Sequence, residues 1–244
     1  MPNISPNQLI DFASRIFESA GASKEEASVV ATHLVESNLT GNDSHGIQLL
    51  PEYIERILSK DVAGQPTRVK RDAMGNPLRI IPGAELTVIR ETPTTAVIDG
   101  NWGFGQTVSR KATEMAIEKA KKNNVGIITV RNVYHIGRLG EYPMMMAEKD
   151  LIGFICTKSS AGMAPAGGTS KVLGNDPLAF AIPADKEDPI LVDFAMSVVA
   201  VGKVFVQAAK NEKIPDGWMV DKDGNPTNEP DDFLKGGRVL PLNP

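Results

Sequence analysis

Apolar residues recur at helical spacing up to about Val62 and at strand-like spacing from Gly64 onward. Ser5-Pro6 reads as an N-cap followed by proline at the first helical position. Behind it Leu9, Ile10, Phe12, Ile16 and Phe17 form an apolar stripe with the period of a helix. Ser23-Lys24-Glu25-Glu26 has the form of a capping box. The helix it opens carries Val29, Val30, His33, Leu34 and Leu39 on one broad face, which makes His33 a packed or half-exposed helix residue rather than a catalytic one. A third helix is expected from Pro51 through Tyr53, Ile54, Ile57 and Leu58.

Short strands are expected at Arg68 to Arg71 and Leu86 to Arg90, with Met74-Gly75-Asn76-Pro77 as a turn between them. Thr94 to Asp99 reads as a strand ended by Gly100. A helix from Gln106 to Lys122 follows, burying Val108, Ala112, Met115, Ala116 and Ala120, with Lys119 to Lys122 as a last turn favoured by the helix dipole. Val125 to Val130 is expected as a buried strand, Met144 to Lys149 as part of a helix, and Ile152 to Thr157 as the next strand. Leu178 to Ile182 and Ile190 to Val192 are further strands, and Ser197 to Lys210 a helix. The stretch from Ile214 to Pro230 is rich in turn residues. The pattern predicts a mixed α/β protein: a small helical unit over residues 1–63 and a mixed α/β unit over 64–244.

Composition narrows the function classes. The chain has 244 residues, 41% of them hydrophobic and 23% charged, ordinary for a globular protein with a core of useful size. A net charge of -4 gives no general attraction to nucleic acid or an anionic membrane, so neither partner is expected. The start, Met1-Pro2-Asn3-Ile4-Ser5, lacks the regions of a signal peptide, and no apolar run has membrane-spanning length. Cys156 is the only cysteine; its apolar surroundings suggest a small buried hydrophobe, and the absence of a possible intrachain disulfide fits a reducing, cytoplasmic setting.

Four stretches could carry chemistry. Asp43-Ser44-His45-Gly46 lies in a polar break between two helices, where a histidine is well placed to move protons. The alternative is a capping cluster in which Asp43 or Ser44 caps a helix and His45 is solvated. Tyr134-His135-Ile136-Gly137-Arg138-Leu139-Gly140 follows a strand and opens a helix, a junction at which free backbone N–H groups hold anions; a tight turn with an exposed histidine is the alternative. Ser159 to Gly168 is a small-residue loop able to fit around a cofactor, or a plain connection. Asp193-Phe194-Ala195-Met196-Ser197 ends a strand with an acid able to accept from ribose hydroxyls, or with Ser197 capping the next helix.

Several signatures are missing. No G-x-G-x-x-G follows a first strand, and neither G-x-x-x-x-G-K-[ST] nor G-x-S-x-G occurs. One cysteine and three distant histidines are too few for a structural zinc, and no metal is expected.

Taken together, the motifs resemble those of the type-2 malate/L-lactate dehydrogenase family, NAD(P)-dependent 2-hydroxyacid oxidoreductases with a non-Rossmann cofactor fold. The resemblance is carried by Asp43 to Tyr53, by Asp99-Gly100-Asn101 with Gly103-Phe104-Gly105-Gln106, and by His135 to Gly140. It continues through Leu173 to Phe180, Val192 to Ser197, and Ile214 to Trp218 with Pro226-Thr227. These occur in family order over almost the whole chain. His135-Ile136-Gly137-Arg138 looks closest to the hydroxycarboxylate dehydrogenase B branch.

The resemblance implies hydride transfer between NAD or NADP and a small 2-hydroxy or 2-oxo acid, in a homodimer. It makes His135 the general acid/base and places Ser44 and His45 beside substrate or nicotinamide. Ile136, Gly137, Ser159, Asp193, Phe194, Ala195, Met196 and Ser197 then fall among the cofactor contacts. Many members have an arginine where this chain has Leu49; Arg138 is the expected anchor for the substrate carboxylate instead. The family pattern continues beyond the Pro244 at which this sequence stops. A C-terminally truncated, non-catalytic remnant is accordingly the alternative to an active enzyme.

Overall fold

The structure, a computed structural model, describes residues 4–59, 79–159, 161–168 and 170–242. The expected strand Arg68 to Arg71, the turn Met74 to Pro77 and the unit boundary at 63/64 lie outside the described residues. Contacts divide the chain into two compact units, residues 1–151 and 152–244. The fold is mixed α/β, as the hydrophobic pattern predicts.

The first unit opens with α1 (Pro6–Ser19) and α2 (Lys24–Leu39). Both begin with a complete capping box, Ser5 with Gln8 and Ser23 with Glu26, so orphan N–H groups at each start are satisfied from within the sequence. The Glu26 carboxylate also accepts from the N–H of Gly83, at 2.9 and 3.0 Å, and so pins the loop before the first sheet. Single 3-10 turns at Asp43–His45 and Ile47–Leu49 lead into α3 (Leu50–Leu58), with Pro51 in its first turn. Phe17, Val30, Leu34, Tyr53, Ile80 and Phe104 share one core, so the helices bury their apolar faces against the start of the α/β segment.

β1 (Thr87–Glu91) pairs antiparallel with β2 (Thr95–Asp99). β2 pairs parallel with β3 (Ile127–Arg131) through the crossover helix α4 (Gly105–Asn123). β3 is not the buried strand expected: Val125 and Ile127 are exposed, and only alternate β3 positions are half-buried. Leu39 likewise falls on the open side of α2. After β3 the chain runs through the His135 loop into the short α5 (Glu141–Ala147).

The second unit holds a three-stranded antiparallel meander of β4 (Gly153–Cys156), β5 (Leu178–Ile182) and β6 (Ile190–Phe194). Its register aligns Cys156 with Leu178 and Leu178 with Phe194, so β4 and β6 end at the same edge. Cys156 is exposed, contrary to expectation, because it sits at that edge. α6 (Val201–Lys210) starts four residues later than expected for Ser197, which does not cap it. The turn-rich tail gains order from tertiary pairing: β7 (Met219–Val220) lies between β8 (Pro226–Thr227) and β9 (Arg238–Val239). Met163, Val199, Val204, Ile214, Met219 and Val239 form this unit's core.

No helix among the described residues is long and apolar enough to cross a membrane.

Candidate functional site

In the first unit the site grows from α3. Arg56, 2% exposed, donates from Nε to the Tyr134 hydroxyl at 3.1 Å, and that hydroxyl donates to Glu52 at 2.8 Å. Burial, then the Glu52 charge, pushes the Tyr134 phenol up, so it stays a donor. One turn of helix thereby anchors the residue just before His135. Tyr53, on the same helix, meets His135 Nδ1 with its hydroxyl at 2.7 Å. The buried Gln106 donates to that hydroxyl from α4 at 2.8 Å. Gly105 is required beside it, because a Cβ there would run into the carbonyl of His135.

His45 joins this group from the 3-10 turn. Its ring stacks on His135 at 5.4 Å between centroids and 25° between planes. Ser44 Oγ lies 3.0 Å from His45 Nδ1. The turn itself is held by Asn38, whose amide donates to Asp43 at 2.6 Å and accepts from the Ile47 N–H at 2.8 Å. Neither Asp43 nor Ser44 caps a helix, so the capping alternative fails; Asp43 is bound by Asn38, Ser44 meets His45, and His45 faces His135. The reason is local: the Asn38 side chain, from the last turn of α2, binds Asp43 and takes the Ile47 N–H that a cap would otherwise have served.

The His135 residue is exposed on one side and set against Tyr53 and His45 on the other. Desolvation first, then the neighbouring imidazoles of His45 and His33, push it down to about 3, so the neutral form holds at pH 7. Burial keeps the Tyr53 phenol protonated well above its ordinary range. That phenol can donate to Nδ1 or accept from it. In the second case its own proton turns toward the His135 carbonyl at 3.5 Å, and Nε2 presents a free lone pair.

Behind the loop, Ile136 gives its carbonyl to the Tyr142 hydroxyl, and the Arg138 N–H donates to Nε2 of the buried His33 at 2.8 Å. Gly137 adopts φ +78 between them. Arg138 Nε is buried without a hydrogen-bond partner among the described residues, a donor with capacity for an anion. Ser44, His45, His135, Ile136, Gly137 and Arg138 are therefore brought together within one unit.

The second unit gathers the other expected residues at one sheet edge. The Ser159 N–H donates to Asp176 at 2.9 Å, and the Asp176 N–H donates back to Ser159 Oγ at 3.2 Å. The neighbouring Asn175 carbonyl accepts from the Met196 N–H at 2.8 Å, so one loop ties Ser159 to the end of β6. Asp193 and Met196 are exposed, and Phe194 and Ala195 are half-buried. Ser197 is buried, and its hydroxyl donates to the Val199 carbonyl at 2.7 Å, supporting the turn from inside. An exposed acid, a hydroxyl and a thioether at one edge fit ribose hydroxyls and a flat ring, so this donor set is compatible with a dinucleotide. Among the described residues no cluster of three His, Cys, Asp or Glu side chains could hold a metal ion.

Sequence reasoning missed Tyr53, Gln106 and Glu141. Tyr53 and Gln106 lie in stretches that resemble the family, but no local signal marks them as partners of a histidine far along the chain.

The family model described as malate/L-lactate dehydrogenase matches residues 4–243. The chain is 39% identical to the malate dehydrogenase of Pyrococcus abyssi over 98% of this chain and 61% of that protein. It is 30% identical to hydroxycarboxylate dehydrogenase B of Escherichia coli O157:H7 over 91% of this chain and 57% of that protein. Among solved structures, malate dehydrogenase from Entamoeba histolytica superposes with a TM-score of 0.87 at 33% identity, covering 99% of this chain and 63% of that one. Sulfolactate dehydrogenase from Methanocaldococcus jannaschii does so with a TM-score of 0.80 at 36% identity, covering 98% and 64%. The chain spans about three fifths of the length of the curated relatives it matches.

Proposed function

This chain belongs to the malate/L-lactate dehydrogenase family, and from that premise we propose that it serves the interconversion of a small 2-hydroxy acid and its 2-oxo acid with NAD or NADP. The observation that carries the reading is the imidazole of His135, held neutral between Tyr53 and His45 with one edge open.

The chemistry a nicotinamide supplies when bound is acceptance or donation of a hydride at the 2-carbon of the acid. In the oxidation direction, His135 Nε2 takes the hydroxyl proton while its Nδ1–H is held by the Tyr53 oxygen. In the reduction direction the imidazolium returns that proton to the 2-oxo oxygen. At neutral pH the ring is in the neutral form that can accept a proton, and its depressed basicity makes the imidazolium a strong acid once formed. Arg138 Nε would pair with the substrate carboxylate. Ser44, His45, Ile136 and Gly137 would contact substrate or nicotinamide. Ser159, Asp193, Phe194, Ala195 and Met196 would hold the dinucleotide, with Ser197 supporting their turn. A homodimer is the assembly we expect in solution.

Fluorescence titration of the chain with NADH and NADPH tests the reading, followed by assays that follow oxidation of the reduced nicotinamide as pyruvate, oxaloacetate, glyoxylate or phenylpyruvate is reduced. Saturable binding and turnover of at least one acid are expected. Neither binding nor turnover would overturn it in favour of a non-catalytic member of the family.

A further inference from the structure

His33 performs no proton transfer in the scheme above, yet it is the most tightly enclosed histidine of the chain, 1% exposed in the middle of α2. A buried imidazole in a helix needs a reason, since leaving its nitrogens unpaired would cost stability. Each nitrogen faces a different element. Nε2 accepts from the backbone N–H of Arg138 at 2.8 Å. Nδ1 lies against the Glu141 carboxylate at the start of α5. The other carboxylate oxygen takes Nη1 of Arg110, on α4, at 2.5 Å.

The chemistry of these contacts fixes the state of the ring. An N–H donor at Nε2 requires a lone pair there, so the proton must sit on Nδ1, where the carboxylate accepts it. Arg110 orients that carboxylate, and Tyr142 stacks beside His33 at 6.1 Å. The backbone is shaped to match: a Cβ at Gly137 would overlap His33 Nε2, so only glycine lets the loop close onto the ring.

We infer that His33, locked by Glu141 and Arg110, is a positioning residue that holds the His135-Ile136-Gly137-Arg138 loop through the Arg138 backbone amide. The inference rests on His135 as the acid/base. A histidine suits the role because its two nitrogens lie on opposite sides of a rigid ring, one able to donate while the other accepts. A loop held at a backbone amide cannot slide along its own chain, so the His135 ring stays between Tyr53 and His45.

Two variants of similar polarity separate this role from plain packing. His33→Gln places an amide oxygen near the Nε2 position and can still accept from Arg138. His33→Asn reaches only the Nδ1 position and cannot. In His33→Asn, the Arg138 amide is expected to exchange with solvent about 100-fold faster than in the parent chain, while amides of α4 and β2 keep their rates. The His135 ring, which faces His45 and Tyr53, should titrate closer to its ordinary value in the same variant, read by proton NMR. Where the parent chain turns over a 2-oxo acid, kcat should fall about 10- to 100-fold in His33→Asn. In His33→Gln all three readouts should return toward the parent. An Arg138 exchange rate unchanged in His33→Asn, or raised equally in both variants, overturns the inference. If the parent chain binds and turns over nothing, the acid/base reading fails while the exchange rates still decide whether His33 holds the loop.

Discussion

Tyr53 and His135 lie 82 positions apart and meet through a 2.7 Å hydrogen bond between the phenol hydroxyl and Nδ1. The phenol can exchange donor for acceptor without moving a heavy atom. Gln106 fixes one of its directions, and the His135 carbonyl offers a second. That makes Tyr53 the partner that follows the imidazole through a change of protonation.

Tyr53→Phe keeps the packing against Phe17 and Tyr134 and removes only the hydroxyl. A hydrogen bond to a group that becomes charged contributes about 1.5–3 kcal/mol, which corresponds to roughly 10- to 100-fold in kcat. Steady-state kinetics with the best 2-oxo acid should show that loss with an unchanged circular dichroism spectrum. A kcat equal to that of the parent would remove Tyr53 from the mechanism.

His135→Ala should abolish turnover and leave most cofactor binding, measured by NADH fluorescence. In the parent chain, the Cε1 proton of His135 should titrate well below the ordinary histidine range, toward about 3. The sign follows from proton uptake. Between the ordinary value near 6.5 and the depressed one, the unfolded chain holds more protons, so this group lowers stability as pH falls through that window. A midpoint at or above 6.5 would contradict the desolvation and the neighbouring imidazoles described for the ring.

Glu141 shows the opposite case. Burial alone would raise its carboxyl, but the hydrogen bond from His33, then the charges of Arg110 and Arg138, outweigh burial and hold it below the usual range. Its contribution is present above the unfolded carboxylate value and is lost as pH falls through the folded one. Glu141→Gln should cost about 3 kcal/mol near neutrality, because it leaves a buried network half-paired. Urea unfolding at pH 7 and at pH 4 should show the difference between parent and variant shrinking at the lower pH; a difference that grows there would refute the sign.

Gly137→Ala should be more damaging than an ordinary surface change. The added Cβ meets His33, and φ +78 strains any side chain. Together these cost about 2–3 kcal/mol, a loss readable in the midpoint of chemical unfolding. Gly167 also has positive φ, at +70, but a Cβ there meets nothing, so Gly167→Ala should cost less. Equal losses at both positions would show that the contact with His33 carries no energy.

Local sequence was enough for the elements whose signals are themselves local. The capping boxes at Ser5 and Ser23 set the starts of α1 and α2, since cap and N3 side chains lie within one turn. The strand Leu178 to Ile182 matches β5 residue for residue, and the motifs around His45, His135 and Asp193 were legible as a family pattern. Burial was less legible. Cys156 and Val125 sit in apolar runs yet are exposed, because a run of apolar residues does not say which face finds a partner. The tail after Ile214 looked like turns because two-residue strands carry no periodicity; only pairing of β7 with β8 and β9 makes them strands.

For the site, the sequence by itself determined which residues had suitable chemistry: an imidazole with a titration point near neutrality, a serine beside His45, an arginine on the His135 loop. Tertiary structure decided what each of them meets. It brought Tyr53 and Gln106 to His135, set His45 against that ring, and joined His33 to the Arg138 amide. The reason is physical. Protonation state and hydrogen-bond direction depend on desolvation and on partners within about 3 Å, and those partners come from α2, α3, α4 and α5, which only the fold places side by side.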